Sequence, residues 1–457
     1  MLELDAGRER RDIGRYSQPF FWFLWATIVL VAAAFYYPKA ADQRSAFVRW
    51  QPQVLQFWEG VNIYDRMYFP NPPIMPITLY PLMTLPPVAA AMSWFLIKAG
   101  LTTITLLICF NVVKPAGKPM PPFFQTAVLL LALRPILGDL HHGNVNLVIL
   151  FLVALMYEAW RRGWDVGAGL LLALAIAFKV TPALFVPYFA YKKSWRTVGA
   201  TFLGLALFLL VVPTLVLGWE FNHLCLTTWW HRMLTPFLVE GNASPQEPNQ
   251  SMVGVLTRLL TEIEPGTNRY DVRHDVNLMA LSPTLVGYLI KGVALALVGL
   301  LAYFCRTKTA DRRSPLYLAE ISLVVLTMLF MSERSWKHHF VTLVFPYAYL
   351  MYELYSPLTS RRSRRWIFGS LIASFLLMAS TSTEFGGFFA DGHGHEIAQG
   401  YGMFLWSSVV LYVAVAWRLR VRQMELAPLP EPTSSVPAPS SANRPATAFK
   451  ETGYNAL

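Results

Sequence analysis

Residues 161–196 read RRGWDVGAGLLLALAIAFKVTPALFVPYFAYKKSWR. Two apolar runs, about 166–178 and 182–191, flank Lys179-Val180-Thr181-Pro182. Proline lacks the N–H that a helix interior needs, and a lysine inside a span is costly. One continuous crossing is therefore broken there, and the stretch reads as a helical hairpin of two short passes. Broken helices at membrane depth persist only where they are buried in protein or line a cavity. Counting the hairpin as two passes puts Arg161/Arg162 and Lys192/Lys193/Arg196 on one side and Lys179 on the other.

The same pattern extends outward in both directions. Further apolar segments lie near 20–37, 87–113, 122–137, 145–160, 197–217, 284–304, 315–331, 340–355, 366–383 and 401–417, for about twelve crossings in all. The first reads as a retained signal anchor, because it ends in aromatics and many spans follow. The strong basic clusters all fall on the side of the N-terminus. They are Lys114/Lys118, Arg306/Lys308/Arg312/Arg313, Arg361/Arg362/Arg364/Arg365 and Arg418/Arg420/Arg422, with the two at the hairpin. That is the positive-inside distribution, so both termini are expected in the cytoplasm. Only 14% of the 457 residues are charged, against roughly 25% in soluble domains, and the mean hydropathy is +0.40. The net charge of +11 belongs to these loops and does not point to nucleic acid. The fold class is thus all-α and polytopic. Residues 1–19 form a cytoplasmic segment, 20–417 the membrane domain, and 418–457 a cytoplasmic tail rich in Pro, Ser and Ala that reads as disordered.

The other side receives about 38–85, 138–144, 179–182, 218–282, 332–339 and 384–399, where the unusual polar motifs sit. Within the first, 74–85 reads as a helix lying in the interface. Asp42 follows the first span, with Glu59 and Asp65 in the same loop; any of them could deprotonate a hydroxyl or be an ordinary loop acid. His141-His142-Gly143-Asn144-Val145-Asn146 opens a span, as a cap or a cavity lining. Asn249-Gln250-Ser251 starts an amphipathic stretch carrying Arg258; this tripeptide and Asn242-Ala243-Ser244 are also glycosylation sequons. Ser335-Trp336-Lys337-His338-His339, with Arg334 before it, offers several donors to an anion. Asp391-Gly392-His393-Gly394-His395-Glu396 could bind a metal, although a flexible Gly-rich loop is the favoured reading. Cys109 and Cys305 lie in or beside spans and Cys225 in a polar loop, with no disulfide or zinc spacing.

In this order the motifs resemble glycosyltransferase family 87 of the GT-C class. The resemblance rests on Asp42, Gly60-Val61-Asn62-Ile63-Tyr64, Pro72-Pro73, Gly143-Asn144-Val145-Asn146 leading to Lys179-Val180-Thr181-Pro182, Asn249-Gln250-Ser251 with Arg258, and Ser335-Trp336-Lys337-His338-His339. It covers about 20–417 and departs from the family pattern at Asn144, where the family has Gln, and at Ser332-Glu333-Arg334. It implies a GT-C fold with a long first extracytoplasmic loop and a polyprenyl-phosphate hexose donor, with mannose preferred. The acceptor is a hydroxyl of a lipid-linked or cell-envelope glycan outside a bacterial plasma membrane, and no cofactor or metal is implied.

A phosphate leaving group departs as a stable anion and needs cationic donors rather than a general acid. Lys179, Arg258, His338 and His339, with Asn249 and Gln250, are the expected donor-binding residues, and Arg334 and Lys337 are secondary. Asn144, Asn146, Tyr64 and Trp336 are expected to line the cavity or the acceptor site. Asp42 is the expected base of an inverting transfer, with Glu59 and Asp65 behind it. The competing function is a transporter or flippase of a lipid-linked or anionic solute, since broken helices and an embedded lysine suit that too. No repeat relates the two halves, and a sensor without chemistry would leave the one-sided clustering of motifs unexplained.

Overall fold

The computed structural model describes residues 2–426 except 68, 114–118, 239–240, 242–243, 265, 267–271 and 309–310, and describes no side chains for 2–17 or 238. Lys114, Lys118, the sequon at Asn242 and the tail from residue 427 lie outside the described residues, as do the side chains of the N-terminal segment.

Among the described residues every regular element is helical. The first part comprises α1 (Leu2–Ala41), α2 (Ala46–Trp58), α3 (Ile63–Arg66), α4 (Ile74–Met83), α5 (Pro87–Val112), α6 (Pro122–His142) and α7 (Asn146–Arg161). The hairpin is α8 (Asp165–Phe178), a 3-10 turn (Thr181–Leu184) and α9 (Phe185–Tyr191). Then come α10 (Trp195–Leu205), α11 (Val212–Leu217), α12 (Trp219–Trp229), α13 (Thr235–Leu238) and α14 (Met252–Leu260). The last part is α15 (Pro283–Phe304), α16 (Leu316–Met331), a 3-10 turn (Lys337–Leu343), α17 (Val344–Tyr355), α18 (Arg361–Ala379), α19 (Thr383–Gly386), α20 (Gly394–Gly400) and α21 (Met403–Glu425).

Each of the twelve apolar segments is a helix. Six spans among the described residues are long and apolar enough to cross a membrane: Gln18–Ala41, Pro87–Val112, Pro122–His142, Trp195–Leu217, Pro283–Phe304 and Met403–Glu425. The shorter α7, α16 and α17 are almost wholly buried. They form the centre, whereas α15 and the span of α1 expose most of their surface. A helix sheathed by protein need not match the bilayer's thickness. The chain is therefore a multi-pass membrane protein.

α1 begins at Leu2, ahead of the apolar run that starts near residue 20. α21 runs on to Glu425, past the boundary expected at 418. The two long loops carry helices as well, α2–α4 in the first and α12–α14 in the second. Cys225, expected in a polar loop, is buried on α12, because that helix packs against α3, where Asn62 Nδ2 donates to Thr228 Oγ1 at 2.9 Å. The 74–85 stretch is helical as read, and Gln51 on α2 holds its end by donating to the Met83 and Leu85 carbonyls.

The hairpin is held closely against α10. A Cβ on Gly169 would come within 2.5 Å of the Thr197 carbonyl oxygen, and one on Gly204 within 2.6 Å of Ala173 Cβ. Small residues at matched positions let the two backbones touch, which is how helices associate without a hydrophobic driving force.

The basic clusters meet at one end. Arg312 pairs with Asp165 and donates to the Trp160 carbonyl. Lys192 Nζ lies 2.7 Å from Glu320 and donates to the Cys305 carbonyl. Arg418 and Arg422 both grip Glu353, at 2.7 and 3.1 Å. At the opposite end stand Lys179, His142, Asn144 and the 332–339 segment. The hairpin thus leaves the basic end at Asp165, turns at Lys179 and returns to it at Lys192.

Candidate donor-binding cavity

Gly143 ends α6 with φ of 80°, and a Cβ there would sit 2.9 Å from Phe47 Cβ. Glycine alone adopts this left-handed cap without cost, and it turns Asn144 and Asn146 toward the site. Asn146 Oδ1 accepts from Lys179 Nζ at 2.7 Å, and Asn146 Nδ2 donates to Asp139 Oδ1 at 2.9 Å. Asp139 in turn accepts from Lys98 Nζ, through its carbonyl at 2.6 Å and Oδ2 at 3.2 Å. Lys98 and Asp139 are completely buried. A buried charge persists only when paired and hydrogen-bonded. This row therefore fixes where the Lys179 ammonium points.

Lys179 opens into a cavity of about 740 Å³ with an amphipathic lining. Arg49, Lys179, Arg334, His142, His338 and His339 supply its basic groups, and Leu184, Pro187, Leu234, Phe237, Met328 and Met331 much of its apolar surface. The imidazoles form a box. His142 and His338 stack at 4.2 Å, and His338 meets His339 edge-on at 4.8 Å. Asn144 Nδ2 lies 3.2 Å from His338 Nε2. Burial, with the charge of neighbouring Lys179, pushes both His338 and His339 well below the ordinary histidine value. At neutral pH they therefore offer hydrogen bonds rather than charge. Burial lowers Lys179 to about 8, against the attraction of Asp139, so it remains mostly protonated at pH 7.

The structure brings Lys179, His338, His339, Asn144 and Trp336 to one wall, with Asn146 directly behind Lys179. It does not bring the rest there. Arg258 is buried, and its guanidinium donates to the carbonyls of Gly400 at 3.0 Å, Gln246 at 2.7 Å and Asn249 at 2.8 Å. Asn249 Nδ2 donates to the Ser244 and Glu333 carbonyls, and its Oδ1 accepts from Ser335 N at 3.0 Å. Gln250 Nε2 donates to the Gln399 carbonyl at 2.8 Å. The expected donor-binding role of these three gives way to a brace. A guanidinium has five donors in a fixed fork, and here backbone carbonyls occupy them, so α14 holds the 332–339 segment in place.

Tyr64 is fully buried against Phe57 and Phe69 and lies off the cavity wall, because α3 turns its ring into the core. Asp42 is exposed, 2.8 Å from Arg44, and sits four residues before Ala46, which lines the cavity. Glu59 is exposed and Asp65 pairs with Arg232 at 2.8 Å, so neither faces the cavity. Glu333 does, as the one carboxylate among the described lining residues. Sequence reasoning passed over Glu333, Lys98 and Asp139. The last two carried a signal, since a charge inside an apolar run is expensive and marks a partner.

Arg258→Lys, which keeps the charge but not the fork, is expected to cost about 1–3 kcal/mol of stability. The readout is a lower unfolding midpoint in detergent with the donor KM unchanged. A raised donor KM at an unchanged midpoint would return Arg258 to the binding site.

A bundle of short core helices with a basic, histidine-rich and partly apolar cavity at one end defines a multi-pass membrane protein. The sequence profile of glycosyltransferase family 87 matches residues 69–332, and the chain belongs to that family. It is similar to a polyprenol-phosphate-mannose-dependent alpha-(1-2)-phosphatidylinositol pentamannoside mannosyltransferase of Mycolicibacterium smegmatis (strain ATCC 700084 / mc(2)155). The two are 29% identical over 336 residues, 69% of this chain and 70% of the relative. No solved structure matches.

Proposed function

We propose that the protein transfers a hexose, mannose first, from a polyprenyl-phosphate donor to a hydroxyl of a lipid-linked or cell-envelope glycan, with inversion, outside a bacterial plasma membrane. The observation that carries this reading is a cavity lined by both basic and apolar groups. Its cationic and imidazole groups suit a phosphate, and its apolar groups suit the first prenyl units. The name of the mycobacterial relative states the same donor class and a glycolipid acceptor. Basic clusters at the far end agree with a cytoplasmic placement of that end and of both termini.

Lys179, with Arg49 and Arg334, balances charge that grows on the departing phosphate, while His338, His339 and Asn144 hold its oxygens by hydrogen bonds. Asp42 takes the proton from the acceptor. It stands at the α1–α2 corner, four residues before Ala46, which lines the cavity. Glu333 is the competing base because it lies on the wall itself.

The test is transfer from radiolabelled polyprenyl-phosphate-mannose into lipid by membranes carrying wild type, Asp42→Asn or Glu333→Gln. Loss of the base is expected to cost about 10²–10⁴-fold in Asp42→Asn alone. Loss in Glu333→Gln alone moves the base there. Failure of wild type with mannosyl, glucosyl and arabinosyl donors overturns the transferase reading in favour of transport.

A further inference from the structure

Three of the chain's nine histidines converge on one carboxylate at the site end of the fold, outside the donor cavity. Glu396 Oε2 lies 3.1 Å from His274 Nε2 and 3.1 Å from His393 Nδ1. These three ligand atoms all lie within 4.8 Å of one another. Ligands about 2.0–2.1 Å from a tetrahedral zinc are about 3.3 Å apart, so two edges of such a tetrahedron already stand near their required length.

The surroundings orient the ligands as those of a metal centre do. The second oxygen of Glu396, Oε1, accepts from Arg273 Nη2 at 2.7 Å, which leaves Oε2 to the two imidazoles. Arg273 does not leave the site with excess positive charge, because its Nε faces Glu247 at 3.5 Å. His395 Nδ1 lies 3.1 Å from the Gly392 carbonyl. That contact places the proton on Nδ1 and frees Nε2, which lies 3.9 Å from Glu396 Oε1. The flexible Gly-rich loop expected at 391–396 is in fact wound into helical turns, with α20 carrying His395 and Glu396.

We propose that His274, His393 and Glu396 bind a divalent zinc-class cation, with water completing its shell. A site of two imidazoles and one carboxylate favours zinc over calcium or magnesium, which prefer all-oxygen shells. The site clasps the strand of chain around His274 to α20. It lies behind the brace: Gln399 and Gly400, at the end of α20, supply the carbonyls gripped by Gln250 and Arg258. Metal there stiffens the support of the 332–339 segment and takes no part in the reaction. The inference is independent of the proposed transfer.

The experiment uses the full-length, tag-free protein in detergent, loaded with zinc chloride, desalted and analysed for metal. Wild type is expected to retain one zinc per chain and to gain several degrees in unfolding midpoint, reversed by EDTA. His274→Ala/His393→Ala is expected to lose both effects, and His223→Ala, an exposed histidine elsewhere, to keep them. Cobalt(II) added to wild type is expected to give the visible bands of a four-coordinate nitrogen–oxygen site, a readout that does not depend on any variant folding. Wild type that retains no zinc, or a double variant that retains it, overturns the site and leaves a hydrogen-bonded cluster only.

Discussion

Lys179→Gln is expected to lower sugar transfer by about 10²–10³-fold, the usual loss when one preorganised donor to a developing anion is removed. The ammonium is held by Asn146 and, behind it, by Asp139 and Lys98. No reorganisation is needed when charge moves onto the phosphate, which is why the effect falls on kcat. Glutamine keeps polarity but not charge, and is one atom shorter than lysine. The pH profile supplies an independent check. Lys179 is lowered to about 8 by burial, and the protonated form is the active one. Activity of free enzyme, read as kcat/KM, is therefore present below pH 8 and lost above it. Lys179→Arg is expected to shift that limb upward, because a guanidinium stays protonated. A profile unchanged in Lys179→Arg, or a Lys179→Gln variant with normal transfer, would assign the leaving-group role to Arg49 or Arg334 instead.

Glu353→Ala is expected to be the most destabilising single change at the basic end, by about 3–5 kcal/mol. Glu353 is the shared partner of Arg418 and Arg422, and Arg418 has no exposed surface. Thr359 Oγ1 also donates to Glu353, at 2.8 Å. Removing the carboxylate leaves the buried Arg418 guanidinium with only the partly exposed Glu425, 3.5 Å away, to offset its charge where α17 meets α21. The measurement is the fraction of protein surviving a heating series in detergent, scored by size-exclusion chromatography. Asp65→Ala serves as the contrast. Asp65 and its partner Arg232 are both about half-exposed, and such pairs contribute about 0–1 kcal/mol. If Glu353→Ala merely loses packing, also replacing Arg418 by Met will not recover stability. If the unmatched charge is the cause, it will recover part.

Much of the architecture was legible because it is local. Hydropathy over a span, a proline and a lysine between two short runs, and basic loops on alternate connections each depend on neighbours in the chain. They are enough to place the hairpin. The cavity motifs were legible in part for the same reason. Gly143 with Asn144 and Asn146, and Trp336 with His338 and His339, are short runs whose members share one turn of backbone. A side chain's direction is not local in this way. Arg258 looks the same in sequence whether it meets a phosphate or the Gly400 carbonyl 142 residues away.

The residues themselves therefore determined the membrane fold, the family and the end of the molecule where the cavity motifs gather. Only the tertiary structure decided which polar groups face the cavity. It turned Arg258, Asn249 and Gln250 into a brace, sank Tyr64 into the core and put Glu333 on the wall. It also joined Lys98 to Lys179 through Asp139 and Asn146, and drew His274 to Glu396. The physical reason is that a buried polar group must find a partner, and the partner is chosen by packing between helices far apart in the chain.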